Sequence, residues 1–349
     1  MIDFRYHLVS IVAVFLALAV GIIVGAQAIA PDVVSGLKAE SQLLKKTNER
    51  LRADNTALAA QLNTDDLFAQ ALSAEVLSHL LQGEHVVLVT APGYDGRTVT
   101  GLTAALRQAG ATVTGQVNLT AQFLDISEST ESGLNALAQR LAPPGTSLSG
   151  AGAAGQISGQ QAAAQVIAAA IVYPSGQAAL TSQQRQAILT GFGAEGFLQV
   201  SGPGGAPALA GPGTLAVLVI PATPALPANA SSPANLAIVE FGHQLDRASD
   251  GALLAGTLPG SGTGSAIDAV TSGAAGVAIT TVDNASTSTG QIMVVEALRL
   301  MLDPHPTPAA YGVSSNTVPS PAPSTAPSAS PSPTATGSVG KHGKHKVRS

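Results

Sequence analysis

The sequence predicts an α/β protein in four parts. These are an N-terminal transmembrane helix, a parallel coiled coil, a doubly wound and mostly parallel α/β domain, and a disordered C-terminal tail. Three features carry this reading. Residues 8–30 form an apolar run, residues 33–63 carry a leucine heptad, and residues 64–303 alternate short Val-rich stretches with amphipathic helical ones. Residues 1–7 precede the span as a short tail, and residues 304–349 make the long Pro/Ser-rich basic tail.

Leu8 to Ala30 is 23 residues long, and only Ser10 and Gln27 within it are polar. A bilayer core takes about 20 apolar residues in a helix, whereas the apolar core of a secretory signal has roughly 7–15. Leu8, Phe15, Gly21 and Gly25 are therefore membrane residues in this reading, and Pro31 and Asp32 close the segment at the far interface. Ala26-Gln27-Ala28 imitates a cleavage site, so a removed signal peptide stands as the alternative. Gly21 and Gly25 form a GxxxG pair with Ala17 one turn earlier, a spacing that lets two helix backbones approach closely. Charge alone does not fix the orientation. Lys38, Lys45, Lys46 and Arg50 follow the span and favour a cytoplasmic C-terminal side, but large C-terminal domains translocate largely regardless of charge.

Leu37, Leu44, Leu51 and Leu58 recur every seven residues and take the d position. Position a then holds Val34, Ser41, Asn48, Asn55 and Leu62. Leu at d with Asn at a specifies a parallel dimer, because a buried Asn pairs with its counterpart in one register only. Glu40 at g faces Lys45 at the following e of a neighbouring chain. Leu37, Leu44, Asn48, Leu51, Asn55 and Leu58 form the expected dimer interface; a single amphipathic helix folded onto its own domain is the alternative.

There is no Cys, which removes disulfides and thiolate metal sites. Every Lys lies in the heptad or in the last nine residues. Between Asp65 and Asp303 six Arg stand against sixteen Asp and Glu, a balance of −10. Nucleic acid and anionic lipid headgroups are poor partners for such a domain, because phosphate binding is driven by Lys and Arg.

In chain order, helical character continues from Asp65 to Leu81, and Gln82-Gly83 ends it. His85–Thr90 is a Val-rich run suited to a strand buried on both faces. Ala91–Gly96 is a turn, Thr98–Ala109 an amphipathic helix stopped by Gly110, and Ala111–Asn118 the next strand. This makes a βαβ unit with parallel strands. Residues 143–160 read as a flexible insertion, and Val166–Tyr173 as either a strand or a helix end. Helices follow at Ser182–Phe192, at Ser232-Pro233 to about Arg247, at Ser265–Ser272 and at Gln291–Leu302. Strands follow at Gly196–Ser201, Thr214–Pro221, Ala252–Leu258 and Val277–Val282. The alternation is that of a flavodoxin/Rossmann-like domain. From Pro304 onward the Pro/Ser/Thr/Ala-rich composition cannot form a core.

Chemistry is sparse. Ligands of open α/β sheets sit at the carboxyl ends of the strands, which puts Ala91–Asp95 and Arg97 at a rim. Asp95 and Arg97 read as turn and surface residues. Gly93-Tyr-Asp-Gly96 lacks the third glycine of a dinucleotide fingerprint, and the literal GxGxxG at Gly150, Gly152 and Gly155 has no strand before it. There is no P-loop, nucleophile elbow or HExxH, so neither an enzyme nor a bound cofactor is expected. His342 and His345, three apart in the basic tail, are weak metal candidates. No series of about 10-residue alternating strands suggests a membrane barrel.

Two stretches resemble a known family. MIDFRYHLVSIVAVFLALAVGIIVG at the start, and Thr281-Val282-Asp283-Asn284 followed by Gln291 to Leu298, are similar to the mycobacterial copper transport protein B (MctB) family of actinobacteria. The likeness extends over roughly residues 1–311 and departs at 143–160 and in the tail. It implies an extracytoplasmic domain held by the N-terminal helix, and a role in copper efflux or homeostasis at the cell envelope. Copper would be the transported species, and some members are described as outer-membrane pore proteins. Related corynebacterial proteins look like partners in cell separation, which makes a non-catalytic scaffold that binds a membrane protein's helix the alternative. The expected partners are the bilayer, a second copy and that helix.

Overall fold

The computed structural model of the protein describes residues 4–144, 146, 148, 158–222, 229–257, 261–314 and 317–318. The chain divides into two compact units, Met1–Leu72 and Ser73–Ser349.

The described residues of the first unit lie within one helix, α1 (Phe4–Leu77), 74 residues long. It runs without interruption through Pro31 and Asp32, which were expected to close the apolar segment. A helix-interior proline removes one hydrogen bond; here helix on both sides carries the chain across it. Tyr6–Gly25 is long and apolar enough to cross a membrane, with mean hydropathy 2.9.

The second unit holds seven strands: β1 (His85–Thr90), β2 (Thr112–Leu119), β3 (Leu198–Ser201), β4 (Leu215–Val219), β5 (Gly251–Ala255), β6 (Thr280–Val282) and β7 (Ala310–Tyr311). They form one sheet in the order β3-β2-β1-β4-β5-β6-β7. All pairings are parallel except β2 with β3. The helices are α2 (Gly96–Gln108), α3 (Glu128–Leu141), α4 (Gly159–Ile171), α5 (Ser182–Ala194), α6 (Pro233–Arg247), α7 (Ala266–Thr271) and α8 (Ser288–Met301).

Strand alternation builds two cores. Val87, Val89, Val117, Leu218 and Leu254 face α3 to α7, whereas Val86, Leu88, Val217, Leu253 and Val282 face α2 and α8. Both faces of β4 and β5 are covered, so these strands read as continuous apolar runs. Leu77 and Leu81 are fully buried in the second core. Phe123 and Phe241 meet edge-to-face in the first, with centroids 5.6 Å apart.

Three differences from the sequence reading have local causes. The region between β2 and β3 is a three-helix connection, α3-α4-α5. The turn at residue 158 that was assigned to a flexible insertion starts α4: Ser158 caps it by accepting from Gln161 N at 3.1 Å. Gly159 packs against the Glu131 backbone of α3, where a Cβ would collide. Val166–Tyr173 resolves as helix up to Ile171, and Val172 then bridges Gly213. Finally, the sheet does not stop before Pro304. Ala310 and Tyr311 pair with Thr281 and Val282 as β7. Insertion residues 145, 147 and 149–157 and the tail beyond 318, with Gly150, Gly152 and Gly155 and with His342 and His345, lie outside the described residues.

Candidate functional site

The sheet order reverses between β1 and β4, the switch point at which open α/β sheets receive ligands. The rim there is the loop Ala91–Asp95, as the sequence suggested. Gly93 adopts φ +84°, its carbonyl accepts from Ala222 N at 2.9 Å, and it lies beside Pro221 after β4. The next residues decide what the rim can hold. Asp95 caps α2, accepting from Arg97 N and from Thr98 Oγ1, both at 3.1 Å. The Arg97 backbone bond holds its carboxyl below the usual range, so it is an anion. In a dinucleotide fold this helix end receives the pyrophosphate. Here the positive end of α2 is filled by its own carboxylate, which repels a second anion. Arg97 is exposed.

Beside that loop the carboxyl ends of β1 and β2 carry a neutral polar cluster. Thr90 Oγ1 donates to Asn118 Oδ1 at 2.7 Å, and Gln116 Nε2 donates to Tyr94 OH at 3.3 Å and to Asn118. It offers neither a nucleophile with a base nor a metal ligand set.

At the end of β6 stands the Val282-Asp283-Asn284 motif. Asp283 is fully buried, and its carboxylate accepts from Val313 N at 2.9 Å and Ser314 N at 2.8 Å. Gly312, at φ +141°, lies so close that a Cβ would strike this carboxylate. Ser261 Oγ donates to the Asp283 carbonyl. The Asn284 carbonyl accepts from Thr287 N and Oγ1, both at 3.0 Å, and thereby shapes the start of α8. Asp283 thus holds the 310–314 strap against the sheet edge. In the sequence Asp283 and Asn284 stood out only as part of the family-like segment, because the strap that Asp283 binds lies about thirty residues later.

Soft and borderline metal donors are scattered. His7 sits on α1, and His79 Nδ1 lies 3.0 Å from Gln82 Oε1. His85 opens β1, and His243 is on α6 near Asp246. Burial raises the Asp246 carboxyl above its usual value. Among the described residues no group of three or more His, Asp or Glu is placed to hold a metal ion. Met301, Asp303 and His305 line one cavity of about 140 Å³ at the end of α8.

On α1, Leu8 and Phe15 are 55 % and 66 % exposed, and Gly21 and Gly25 have open space beside them. Leu37, Leu44, Leu51 and Leu58 are all exposed, as are Asn48 and Asn55. Lys45 pairs with Glu49 at 4.0 Å and Arg50 with Asp54 at 3.9 Å, both within the helix.

A long apolar-start helix, a seven-strand sheet and the buried VDN aspartate occur here in one chain. Residues 1–321 match the family model described as copper transport outer membrane protein, MctB. The chain belongs to the MctB family. Proteins named copper transporter MctB from Mycobacterium tuberculosis, Mycobacterium bovis and Mycobacterium leprae are each 31 % identical to it over 149 residues. That stretch is 43 % of this chain and 47 % of each relative, so the chain spans about half the length of the curated relatives it matches. The MctB start and VDN segments map to two different structural duties here, the apolar part of α1 and the clamp on β7.

Proposed function

We propose that this protein is a membrane-anchored envelope protein acting in copper efflux and copper homeostasis, with copper as cargo and without enzymatic turnover. The observation that carries this reading is the MctB family match over residues 1–321. Three features support it. The start of α1 is built to span a bilayer. The switch-point rim is closed to phosphate by Asp95. Met301 and His305 line one cavity, and thioether and imidazole are both donor types that suit copper. In this reading the N-terminal helix anchors the chain and the α/β domain is extracytoplasmic. The test is cellular copper content and growth in copper for a strain lacking the gene. The full chain is expected to restore both, and His305→Ala with Met301→Leu to restore them incompletely. Unchanged copper content and tolerance on deletion would refute the reading.

The exposed heptad favours a second role. Leucines at d and Asn48 and Asn55 at a support a parallel homodimer through residues 33–63, or a coiled coil with a membrane protein's helix in a scaffold for cell separation. Single cysteines placed from Leu37 to Leu58 distinguish the cases. Crosslinks to a second copy support the dimer, crosslinks to another membrane protein support the scaffold, and none at any position refutes both.

A further inference from the structure

We propose that a cleft between α5 and the sheet edge binds a free fatty acid, a single apolar chain with one carboxylate head. The cleft measures about 460 Å³, within the usual roughly 300–1,000 Å³ range of small-molecule sites. One wall is a single face of α5: Arg185, Gln186, Leu189, Thr190, Gly193 and Ala194 lie three, four, seven, eight, eleven and twelve residues after Ser182. At 1.5 Å per residue that wall is about 18 Å long. The other wall is edge strand β3, through Leu198 and Val200, with Leu209 from the segment that follows it.

The cleft's one charged side chain, Arg185, lies at the start of α5 with Ser182 and Gln186. Leu189, Leu198, Val200 and Leu209 make an apolar trough beyond them, edged by the neutral polar side chains Thr190 and Gln199. Leu198 is 2 % exposed and forms part of the core, so the trough floor is rigid. Arg185 is half-buried, and its Nη1 donates to the Leu180 carbonyl at 2.8 Å, which fixes the guanidinium at the polar end. Among the described residues no carboxylate lines the cleft or pairs with Arg185, although the domain carries sixteen acids against six Arg. A lone oriented cation at the end of an apolar trough complements a carboxylate on an alkyl chain. The other clefts lack this pairing: the one of about 400 Å³ is lined by Glu195 as well as Arg140, and the one of about 290 Å³ is lined by Asp268. A peptide added to the free edge of β3 is the competing occupant.

The proposal is independent of the copper reading. The full chain in lipid nanodiscs is incubated with dodecanoic acid bearing a terminal diazirine, irradiated, digested and analysed by mass spectrometry. Crosslinks are expected in peptides covering residues 182–209, and unlabelled dodecanoate should compete. Dodecanol, dodecyltrimethylammonium and a lysophospholipid should compete at least about tenfold more weakly, since each lacks the free carboxylate. Arg185→Ala should cut labelling about tenfold, Arg185→Lys should restore part of it, and Leu189→Trp, at a half-buried position, should abolish it with the circular dichroism unchanged. Labelling confined to Tyr6–Gly25, equal competition by the alkylammonium, or Leu189→Trp without effect would each overturn the proposal.

Discussion

Leucine meets opposite fates in the two units of this molecule. In the α/β domain Leu88, Leu102 and Leu218 are 0–1 % exposed. On the rod Leu44, Leu51 and Leu58 are 57–64 % exposed. Fully burying such a side chain is worth about 1.5–3 kcal/mol. The domain collects that energy from its own chain, because two helical layers cover both faces of the sheet. The rod collects little of it alone. Its Lys45–Glu49 and Arg50–Asp54 pairs contribute about 0.3–0.5 kcal/mol each at most. The heptad leucines are exposed on α1, as the apolar residues of the segment before them are.

The sharpest way to break this contrast is the double substitution Leu44→Ala with Leu51→Ala. If the heptad is a dimer seam, self-association of the full chain, read by cysteine crosslinking and sedimentation, should weaken by at least about 4 kcal/mol, roughly a thousandfold. The domain's denaturant midpoint should stay unchanged. The converse substitution is Phe241→Ala, which empties the edge-to-face contact with Phe123. It should cost the domain about 3–5 kcal/mol in urea unfolding and leave rod crosslinking as it was. A rod substitution that unfolds the domain would end the idea that the two regions draw on separate sources of stability.

Smaller changes sharpen the account of the domain. Asp283→Ala removes the acceptor for Val313 N and Ser314 N, with an expected cost of about 2–3 kcal/mol and faster proteolysis after residue 305. Asp283→Asn keeps one acceptor oxygen and should lose less. Protection equal to that of the native chain in the alanine variant would show that β7 holds without its clamp. Asp95→Ala should cost about 1 kcal/mol, the usual worth of a helix N-cap. Because the folded Asp95 carboxyl lies below its ordinary value of 3.8, its contribution is present above that pH and fades as pH falls through the folded value. Asp246 has the opposite sign: burial raises its carboxyl, so its contribution is present below 3.8 and is lost as pH rises through the folded value. A stability profile of Asp246→Asn that is flatter than the native one between 3.8 and the raised folded value would confirm the sign.

Much of the fold was legible because its signals are local. Ser232 and Pro233 mark the start of α6 by cap chemistry, and Ser232 does accept from Asn235 N at 3.3 Å. HVVLVT announces β1 through unbroken β-branched burial. Other parts were hidden for equally physical reasons. Residues 128–141 carry Leu134, Leu137 and Leu141 at helical spacing, with Glu128 and Glu131 in the first turn and Arg140 in the last, a helix signal diluted by neighbouring Ser, Gly and Thr. Alanine-rich α4 fits strand or helix equally by hydrophobicity, and only its seat among α3, α5 and α6 decides. The rim at Ala91–Asp95 was placed correctly, but the filling of α2's end by Asp95 depends on side-chain geometry.

By itself the sequence determined where this chain is apolar: a bilayer-length run, a leucine heptad, and strands apolar on both faces. These follow from spacing along the chain. Tertiary structure alone decided which distant pieces meet, including the antiparallel edge strand, the Asp283 clamp on a strap thirty residues away, and the cleft that sets Arg185 over a leucine trough. Such meetings depend on contacts between residues far apart in the chain, and no local periodicity encodes them.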